Sequence, residues 1–402
     1  MERLLHLDII NNFDTKEKDI LEQLIKFFKD NDINAYIVGG AVRDFLLHKK
    51  PKDIDICVDT DPILFIENIS NVKKINYYEK FQTSTLLFNN GVQIDIIRCR
   101  KEIYKYKGSL PDIIPSHIKD DLYRRDFTVN AMAYDLINDE LIDIFGGLKD
   151  LKNKKLKKIR ENTYYEDATR IFRAVRYSVR CDLKLVDEKE IMECVKNKVL
   201  NTVSNDRIIK ELLLICEEDK WIEMYRKCSE VEILDLNLGM LGKDNKLFKY
   251  DDKTLRLLNL FLSLKDKSFK YKFIDNSIID KDIKQAFKNI YYDEINSKEL
   301  FLYSDNDRIY KVLNKLNPYD IMLMSWDKTL VYKIICFNKM KELDYDIKGK
   351  DIIEMSSERG KIIGEIIEYF NNLQLNTNLE LGKQYVKENI GEIINVIKNK
   401  NT

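Results

Sequence analysis

Two aspartates, Asp53 and Asp55, are the first residues of the chain whose type and spacing could support metal chemistry. They follow a predicted strand, the Gly39-Gly40 pair and a predicted helix over 41–47, within YIVGGAVRDFLLHKKPKDIDICVD at 36–59. Residues two apart in a strand face the same side, so both carboxylates are expected to project together from a second strand. The glycines let the backbone approach a ligand, and the helix behind them directs free N–H groups toward an anion. This arrangement predicts a nucleoside triphosphate held by a divalent metal.

A further aspartate lies in a predicted hairpin. Strands over 84–88 and 91–97 flank the turn-prone triplet Asn89-Asn90-Gly91. In the second strand Val92, Ile94 and Ile96 share one face, which leaves Asp95 on the other. Asp95 is therefore either a third carboxylate beside the pair or a solvated strand residue, and the pattern leaves both readings open.

Adjacent arginines occur in the stretch YRRDFTVNA at residues 123–131. Arg124 and Arg125 precede Asp126 where an element is predicted to start. Guanidinium groups bind phosphate oxygens through paired hydrogen bonds, so two of them side by side could clamp a triphosphate. The alternative is an exposed basic turn.

A second arginine-rich stretch, YEDATRIFRAVRYSVR at 165–180, predicts one amphipathic helix. Its charged residues at 167, 170, 173 and 176 recur every three positions and keep within one broad face. Three arginines to one nearby aspartate make a poor set of surface ion pairs, each of which would contribute at most about 1 kcal/mol. The imbalance favours a ligand-binding face.

Other elements must position these residues. Residues 98–119 hold a glycine and two prolines without periodicity and are predicted to form a mobile loop. Residues 140–145 are predicted to form a strand. The basic run 149–160 is predicted to be either a solvated segment or a phosphate contact. The Lys- and Tyr-rich stretch 267–273 could meet nucleic acid or be ordinary surface. Helices are predicted over 16–31, 62–69, 187–197, 205–217, 218–228, 254–264, 281–290, 307–315, 318–340 and 357–372.

Composition limits the classes of function. The 402 residues suggest two to three domains, and 68 basic against 68 acidic residues mean that a nucleic acid would be bound by a local patch. The seven cysteines include no C-x-x-C pair, which argues against zinc and disulfides and for the cytoplasm. With three histidines, histidine-cluster chemistry is not expected. The N-terminus does not have a signal-peptide pattern, and no run of 18 apolar residues predicts a membrane span.

Four motifs in order, GGAVRDFLL…DIDI, RRDFTVNAMAYD, EDATRIFRAVRY and SNDRIIKEL, resemble those of class II tRNA nucleotidyltransferases and bacterial poly(A) polymerases. The resemblance covers about residues 34–215 and is far more specific than a lone glycine pair. It departs mildly in the last motif, where the usual S-x-E-R is Ser204-Asn205-Asp206-Arg207. It implies an α+β fold with a nucleotidyltransferase head of mixed sheet and helices over 1–150. An all-α neck over 151–220 and an all-α body and tail for tRNA over 221–402 would follow.

The resemblance also implies roles for individual residues. Asp53 and Asp55 would bind Mg²⁺ and be catalytic. The last motif would be structural. The residues implied in nucleotide binding are Gly39, Gly40 and Arg43 for the triphosphate, Arg124, Arg125 and Asp126 for ribose and phosphate, and Glu166, Asp167 and Arg170 for the base, with Arg173 and Arg176 close by.

The implied mechanism is nucleotidyl transfer with two metal ions about 3.5–4 Å apart. One ion would activate the 3′-hydroxyl of an RNA end, and the other would stabilise the leaving pyrophosphate with help from Arg43 and Arg125. Cytosine and adenine carry an exocyclic amine beside a ring acceptor, so Asp167 could accept from the amine and Arg170 donate to the acceptor. CTP and ATP are therefore expected over UTP and GTP.

Several activities share these motifs. The leading hypothesis is template-independent addition of C and/or A to the tRNA 3′ end. The alternatives are a CC-adding or A-adding enzyme of a split pair, or a poly(A) polymerase. A full-length loop at 98–119 favours CCA or A addition. From other classes, a non-catalytic RNA-binding protein is disfavoured by the intact aspartates, and a small-molecule nucleotidyltransferase by the long helical half. No obligate protein partner is evident.

Overall fold

The computed structural model describes residues 9–105, 108–109, 111–245, 247–248, 252–292, 300, 304–342, 347–377 and 381–400. The chain divides into two compact units, Met1–Asp235 and Leu236–Thr402. Domain boundaries at residues 150 and 220 stay predictions. Among the described residues, no helix is both long enough and apolar enough to cross a membrane.

The first unit is built on a mixed seven-stranded sheet with the strand order β3-β4-β5-β2-β1-β8-β9. Strands β2 and β5 run parallel, and the other neighbouring pairs run antiparallel. Two small sheets pair β6 with β7 and β10 with β11. The strands are β1 Ala35–Val38, β2 Asp55–Val58, β3 Val72–Tyr78, β4 Thr83–Phe88, β5 Gln93–Arg98, β6 Arg100–Ile103, β7 Asp112–Pro115, β8 Ala133–Asp135, β9 Glu140–Ile142, β10 Lys155–Leu156 and β11 Lys184–Leu185.

Helices surround this sheet. The first is closed by a capping box in which Asp14 accepts from Glu17 N–H and the Glu17 side chain accepts in return. Its buried stripe includes Leu24 and Phe28, both 0% exposed. The helices of the first unit are α1 Thr15–Asp30, α2 Gly40–Leu46, α3 Ile118–Tyr123, α4 Gly147–Lys152, α5 Thr163–Glu166, α6 Thr169–Arg180, α7 Glu188–Lys196, α8 Asn205–Cys216 and α9 Trp221–Glu230.

The predicted hairpin and its alternation are confirmed. Phe88 N–H donates to Val92 O across the turn, and Ile94 and Ile96 are fully buried. The parallel pairing of β2 with β5 sets Asp55 directly opposite Asp95. Equivalent positions on neighbouring strands point to the same face, so the sheet brings these two carboxylates together.

The prediction that Asp53 lies within a strand is wrong. Strand β2 begins at Asp55, and its neighbour β1 pairs Ile37 with Ile56 and ends at Val38. The chain turns at the glycine pair after Val38, so the residues before Asp55 have no β1 partner. Asp53 therefore lies in the exposed approach to the strand.

Three further segments differ from prediction. Residues 62–69 form two short 3₁₀ turns, Pro62–Leu64 and Ile66–Asn68, because Phe65 adopts a non-helical ψ of −16° at φ −138°. Residues 98–119 contain the β6–β7 hairpin and the start of α3 rather than only a loop. Positions 106, 107 and 110 of that segment lie outside the described residues. The basic run 149–160 ends α4 and forms β10, with most of its lysines exposed.

The second unit is helical in its described parts. Most predicted helices are confirmed, but 318–340 is broken because Asp327 accepts from Thr329 N–H and caps a new helix. Separate cores form around Phe337, around Phe370, and around the stacked rings of Phe261 and Phe287. The helices are α10 Lys253–Ser263, α11 Lys267–Ile274, α12 Lys281–Tyr291, α13 Asn306–Leu313, α14 Pro318–Met324, α15 Lys328–Lys341, α16 Gly349–Ser356, α17 Lys361–Thr377 and α18 Lys383–Lys400.

Candidate active site

A cleft of about 640 Å³ lies within the first unit, a volume in the usual range for small-molecule sites. Most of its lining residues carry a charged side chain, as a charged ligand would require. Every residue assigned above to the metal or the nucleotide lines it, except Gly39 and Glu166. Those lining residues are Gly40, Arg43, Asp53, Asp55, Arg124, Arg125, Asp126, Asp167, Arg170, Arg173 and Arg176.

On the carboxylate side of the cleft, burial and neighbouring negative charges disfavour the ionised form of Asp55. Burial raises the pKa of Asp55 to about 6, Arg125 opposes that rise, and the neighbouring charges of Asp95 and Asp53 add to it. Carboxylates that repel one another while partly desolvated gain most from a bound cation. The structure therefore brings Asp53 and Asp55 together as expected, although only Asp55 is in a strand.

Asp95 is not a freely solvated strand residue. Its Oδ1 is buried and accepts no hydrogen bond from any described residue. It faces Asp55 in the sheet but lines a neighbouring cavity of about 510 Å³, which it shares with Asp53, rather than the main cleft. An unpaired buried oxygen costs free energy unless a ligand or ion satisfies it.

The carboxylates of Asp53 and Asp55 are suitable ligands for a hard divalent cation that takes its other ligands from water or substrate. Among the described residues, no group of three His, Cys, Asp or Glu side chains is arranged as a ready metal cage. Mg²⁺ is usually held by one or two carboxylates, with waters and substrate phosphates completing the octahedron. Asp53 and Asp55 in the lining of this cleft satisfy that pattern.

Gly39 is required where it stands for two reasons. Its φ of +67° is a conformation that side chains disfavour, and a Cβ there would lie 2.4 Å from Nη1 of Arg125. Because Gly39 has no side chain, the Arg125 guanidinium can occupy the space that a Cβ would fill. Helix α2 begins at the next residue, so its first N–H groups and Arg125 reach the same corner of the cleft.

The paired arginines are oriented by Asp121, which sequence reasoning missed. Asp121 is 0% exposed and accepts from Arg124 Nε at 3.0 Å and from Arg125 Nη2 at 2.9 Å. Burial alone would raise the pKa of Asp121, but the two guanidiniums hold it at about 2. Arg124 also donates to Glu102 on β6 at 2.9 Å, which ties the loop segment to the site.

Asp126 is occupied by protein donors. Its Oδ1 accepts from Asn130 Nδ2 at 3.0 Å and from Phe127 N–H at 2.9 Å, and its Oδ2 accepts from Arg173 Nε at 2.6 Å. Burial would raise the pKa of Asp126, and Arg173 more than compensates by lowering it to about 2. In this structure Asp126 orients the arginine rather than offering free oxygens to a ligand.

Asp167 breaks the helix that was predicted over 165–180. It adopts an extended conformation between α5 and α6, where its Oδ1 accepts from Thr169 N–H at 3.0 Å and from Thr169 Oγ1 at 2.7 Å. An aspartate that bonds the backbone two residues ahead competes with helix hydrogen bonding. Its Oδ2 accepts from Arg207 Nη2 at 2.7 Å, so a residue of the last motif orients the predicted base contact.

The excess of arginines over nearby acids does not leave these arginines unpaired. Arg173 pairs with Asp126 at 2.6 Å, and Arg176 pairs with Glu211 at 3.4 Å. These partners come from segments distant in sequence, so a count of nearby acids could not include them. Asp126 and Glu211, which line the same cleft, therefore offset part of the charge of these arginines.

Arg170 is also engaged. Its Nη1 donates to Thr163 Oγ1 at 2.6 Å, and its Nη2 donates to Tyr104 OH at 3.2 Å and to Arg124 O at 3.0 Å. Tyr104 lies on the segment predicted as a loop, which gave no sequence signal for such a contact. A base could reach the Arg170 guanidinium if one of these acceptors were displaced.

Residues 35–157 match the family model described as the poly(A) polymerase head domain. The chain is 35% identical over 223 residues to the A-adding tRNA nucleotidyltransferase of Geobacter sulfurreducens, covering 54% of this chain and 25% of that protein. It is 28% identical over 364 residues to the A-adding enzyme of Aquifex aeolicus, covering 84% and 44%. It is 34% identical over 194 residues to the CC-adding enzyme of Deinococcus radiodurans, covering 47% and 51%. The chain thus spans a quarter to about half of these relatives.

Solved structures show the same fold over nearly the whole chain. A CCA-adding enzyme in an apo form superposes with a TM-score of 0.75 at 24% identity, covering 96% of this chain and 97% of the other. The Thermotoga maritima CCA-adding enzyme, solved in complex with tRNA, gives 0.70 at 23% identity with the same coverage. At these identities the likeness concerns the fold.

The predicted α+β architecture is confirmed by these folds, and the head-domain match includes the glycine turn, the aspartate pair and the adjacent arginines. Its head-domain match and its sequence relatives thus make the chain similar to class II tRNA nucleotidyltransferases and bacterial poly(A) polymerases, and its fold is that of CCA-adding enzymes.

Proposed function

We propose that this protein is a template-independent tRNA nucleotidyltransferase that adds C and/or A to the tRNA 3′ end from CTP and ATP. One observation carries the proposal: a single cleft is lined both by Asp53 and Asp55 and by seven arginines. Such a cleft can hold a metal-bound triphosphate between its anionic and cationic sides. The relatives named as A-adding and CC-adding enzymes support the acceptor and the nucleotides.

Asp53 and Asp55 are proposed to hold Mg²⁺, and Asp95 is proposed as a third carboxylate that stabilises the site from the neighbouring strand. When bound, the metal supplies an activated 3′-hydroxyl and charge neutralisation at the pyrophosphate. The buried, unsatisfied Oδ1 of Asp95 and the raised pKa of Asp55 both support a cation beside these residues.

The triphosphate is proposed to lie against the N-terminus of α2 at Gly40 and against Arg125. Lys52, which sequence reasoning did not single out, lines the cleft beside Asp53 and can add a mobile positive charge. Arg43 is 2% exposed and donates to Asp44 Oδ1 at 2.9 and 2.7 Å and to Asn130 Oδ1 at 2.5 Å. Its contribution to phosphate binding is therefore mainly its charge.

Base selection is proposed to rest on Asp167 and Arg170. Oδ1 of Asp167 already accepts two bonds from Thr169, but Oδ2 accepts one, from Arg207, and has a second lone pair that an exocyclic amine can fill. Uracil and guanine present a carbonyl at that edge and would leave the carboxylate facing an acceptor. Arg207 holds Asp167 in place, and Glu166 pairs with Arg170 at 3.4 Å. Arg124 is proposed to support this side of the site through Glu102.

The versions of this proposal differ in which nucleotides the protein adds and how many. An enzyme that adds A alone is the alternative with specific support, because two of the relatives described above carry that name. A CC-adding enzyme and a poly(A) polymerase stay as further outcomes of the same assay.

The experiment supplies Mg²⁺ and tRNA that ends before CCA, after C or after CC, with CTP or ATP added separately. Labelling of all three ends identifies CCA addition, and labelling of one class identifies a split enzyme. Long A tails on unrelated RNA identify a poly(A) polymerase. Binding of tRNA with no product would overturn the catalytic proposal.

A further inference from the structure

Tyr177 on α6 lies at the centre of four guanidinium groups in the cleft. The carbon atoms at the centres of these groups lie 5.0, 5.2, 5.5 and 5.9 Å from the ring centroid for Arg43, Arg173, Arg176 and Arg180, respectively. Guanidiniums within about 6 Å of an aromatic centroid are attracted by the ring quadrupole. All five side chains line the cleft.

Two features of the sequence produce this arrangement. Arg173 and Arg180 are four residues before and three after Tyr177, which are the spacings that place side chains on one helix face. Arg43 arrives from α2, directly after the glycine turn, and is thereby brought against α6. The ring consequently connects the proposed triphosphate corner with the helix of the proposed base contact.

A closed circuit of contacts passes through the ring. Arg43 Nη1 donates to Asn130 Oδ1 at 2.5 Å, and Asn130 Nδ2 donates to Asp126 Oδ1 at 3.0 Å. Asp126 Oδ2 accepts from Arg173 Nε at 2.6 Å, and Arg173 and Arg43 then meet at Tyr177. The other four residues of the circuit contact one another through hydrogen bonds. Within the circuit, only the contacts with Tyr177 depend on the π face of its ring.

Carboxylates alone would not gather these groups. Each guanidinium has its own acidic partner, and the partner of Arg176 holds it loosely, at 3.4 Å. The buried Nε–H of Arg176 finds no acceptor among the described residues. Four like charges repel one another, and each of the four pairs with a different carboxylate. The ring is common to all four.

We propose that Tyr177 is a positioning residue whose ring gathers these four guanidiniums into one cationic wall, so that they are in place before a polyphosphate binds. The inference rests on the proposed function only in taking that polyphosphate to be the triphosphate of the nucleotide. Preorganised charge binds an anion more tightly because no repulsion has to be overcome when the anion arrives.

The test measures binding of inorganic tripolyphosphate to the full chain by calorimetry with Mg²⁺ present, beside KM and kcat for CTP and ATP. Tyr177→Leu is expected to weaken tripolyphosphate binding and raise KM by about tenfold each, with a much smaller change in kcat. Tyr177→Phe keeps the ring and is expected to retain most of the affinity. Phe81→Leu is the matched control, because Phe81 is exposed, has Lys80 at 5.7 Å from its ring, and does not line the cleft.

Three results would overturn the proposal. In the first, Tyr177→Leu binds tripolyphosphate as tightly as the unaltered protein. In the second, Tyr177→Leu weakens nucleotide binding but not tripolyphosphate binding, which would mean that the ring contacts the base or ribose. In the third, Tyr177→Phe is as weak as Tyr177→Leu, which would assign the effect to the hydroxyl.

A series of fluorinated phenylalanines at position 177 keeps the proposal testable even if the leucine variant does not fold. Fluorine weakens the ring quadrupole with little change of shape, so the Kd for tripolyphosphate is expected to rise steadily with the number of fluorines. A flat series would reject the proposal. Tripolyphosphate binding needs no RNA, so the two proposals can fail separately. If the protein does not extend tRNA but its Kd for tripolyphosphate still rises with each added fluorine, the proposed function is overturned and this inference stands.

Discussion

The carboxylate side of the cleft and its arginine side were assembled in different ways. Residues 36–59 carry the glycine turn, α2 and both aspartates within one short segment. The arginine side draws on α2, α3, α6 and α8, and three of its ion pairs, Arg173–Asp126, Arg176–Glu211 and Arg207–Asp167, join segments distant in sequence. A local segment can be interpreted from spacing alone, whereas a wall built from distant pairs cannot. The difference shows why the proposed reaction class was clearer from the sequence than the basis of selectivity.

The strongest way to test this comparison is to remove one carboxylate. Asp53→Ala is expected to lower incorporation of CTP and ATP alike by about a thousandfold or more, because the metal loses a ligand that no nearby residue replaces. Steady-state incorporation on tRNA lacking CCA measures the effect. Asp112→Asn, an exposed aspartate outside the cleft, serves as the control. Loss of one nucleotide only would place Asp53 on the selective side instead.

Because its pKa is raised, the ionised Asp55 lowers the free energy of unfolding at neutral pH by a measurable amount. The folded-state pKa of about 6 exceeds the ordinary aspartate pKa of 3.8, so between these values the folded state binds more protons than the unfolded state. The free energy of unfolding therefore falls as pH rises from about 4 to 6, and it stays lower above 6, by up to about 3 kcal/mol.

Thermal unfolding in EDTA should then show Asp55→Asn to be more stable than the unaltered protein at pH 7.5, with little difference near pH 4. Adding Mg²⁺ should stabilise the unaltered protein and reduce the gap. An Asp55→Asn protein that is less stable at pH 7.5 would show that Arg125 outweighs burial at this carboxylate.

On the arginine side, Asp167→Ala should relax nucleotide choice without abolishing transfer. The preference for CTP and ATP over UTP and GTP is expected to fall by about 2 kcal/mol, or roughly thirtyfold in kcat/KM ratio. Arg207→Gln should give a smaller loss in the same direction, since it leaves Asp167 present but less firmly held. Unchanged selectivity in both variants would remove Asp167 from base recognition.

The smallest effect concerns the point where both sides meet. Gly39→Ala should raise KM for the nucleotide about tenfold, because the new Cβ displaces Arg125 from its corner. Gly146→Ala is a matched control: Gly146 has a φ of +76°, and no described atom lies within 4 Å of its Cβ position. Both variants should lose about 1 kcal/mol of stability, but only Gly39→Ala should change KM. Equal KM values would mean that strain alone acts at Gly39.

Several predictions followed from local pattern and are confirmed as structure. The stripe of α1, the hairpin over 89–91 and most helices beyond residue 185 follow from periodicity and turn residues. The failures have local causes that periodicity does not detect. Asp167 and Asp327 each accept a backbone N–H two residues ahead, and so interrupt helices whose apolar pattern continues past them.

The residue types and their order along the chain were sufficient to indicate a metal-and-triphosphate site, because the turn, helix and carboxylates that form it are neighbours in sequence. Only the tertiary structure decided that Asp95 faces Asp55 and that Arg207 holds Asp167. It also decided that four guanidiniums surround Tyr177. Electrostatic partners are chosen by distance in space, and strand register and helix packing bring together charges that the sequence keeps far apart.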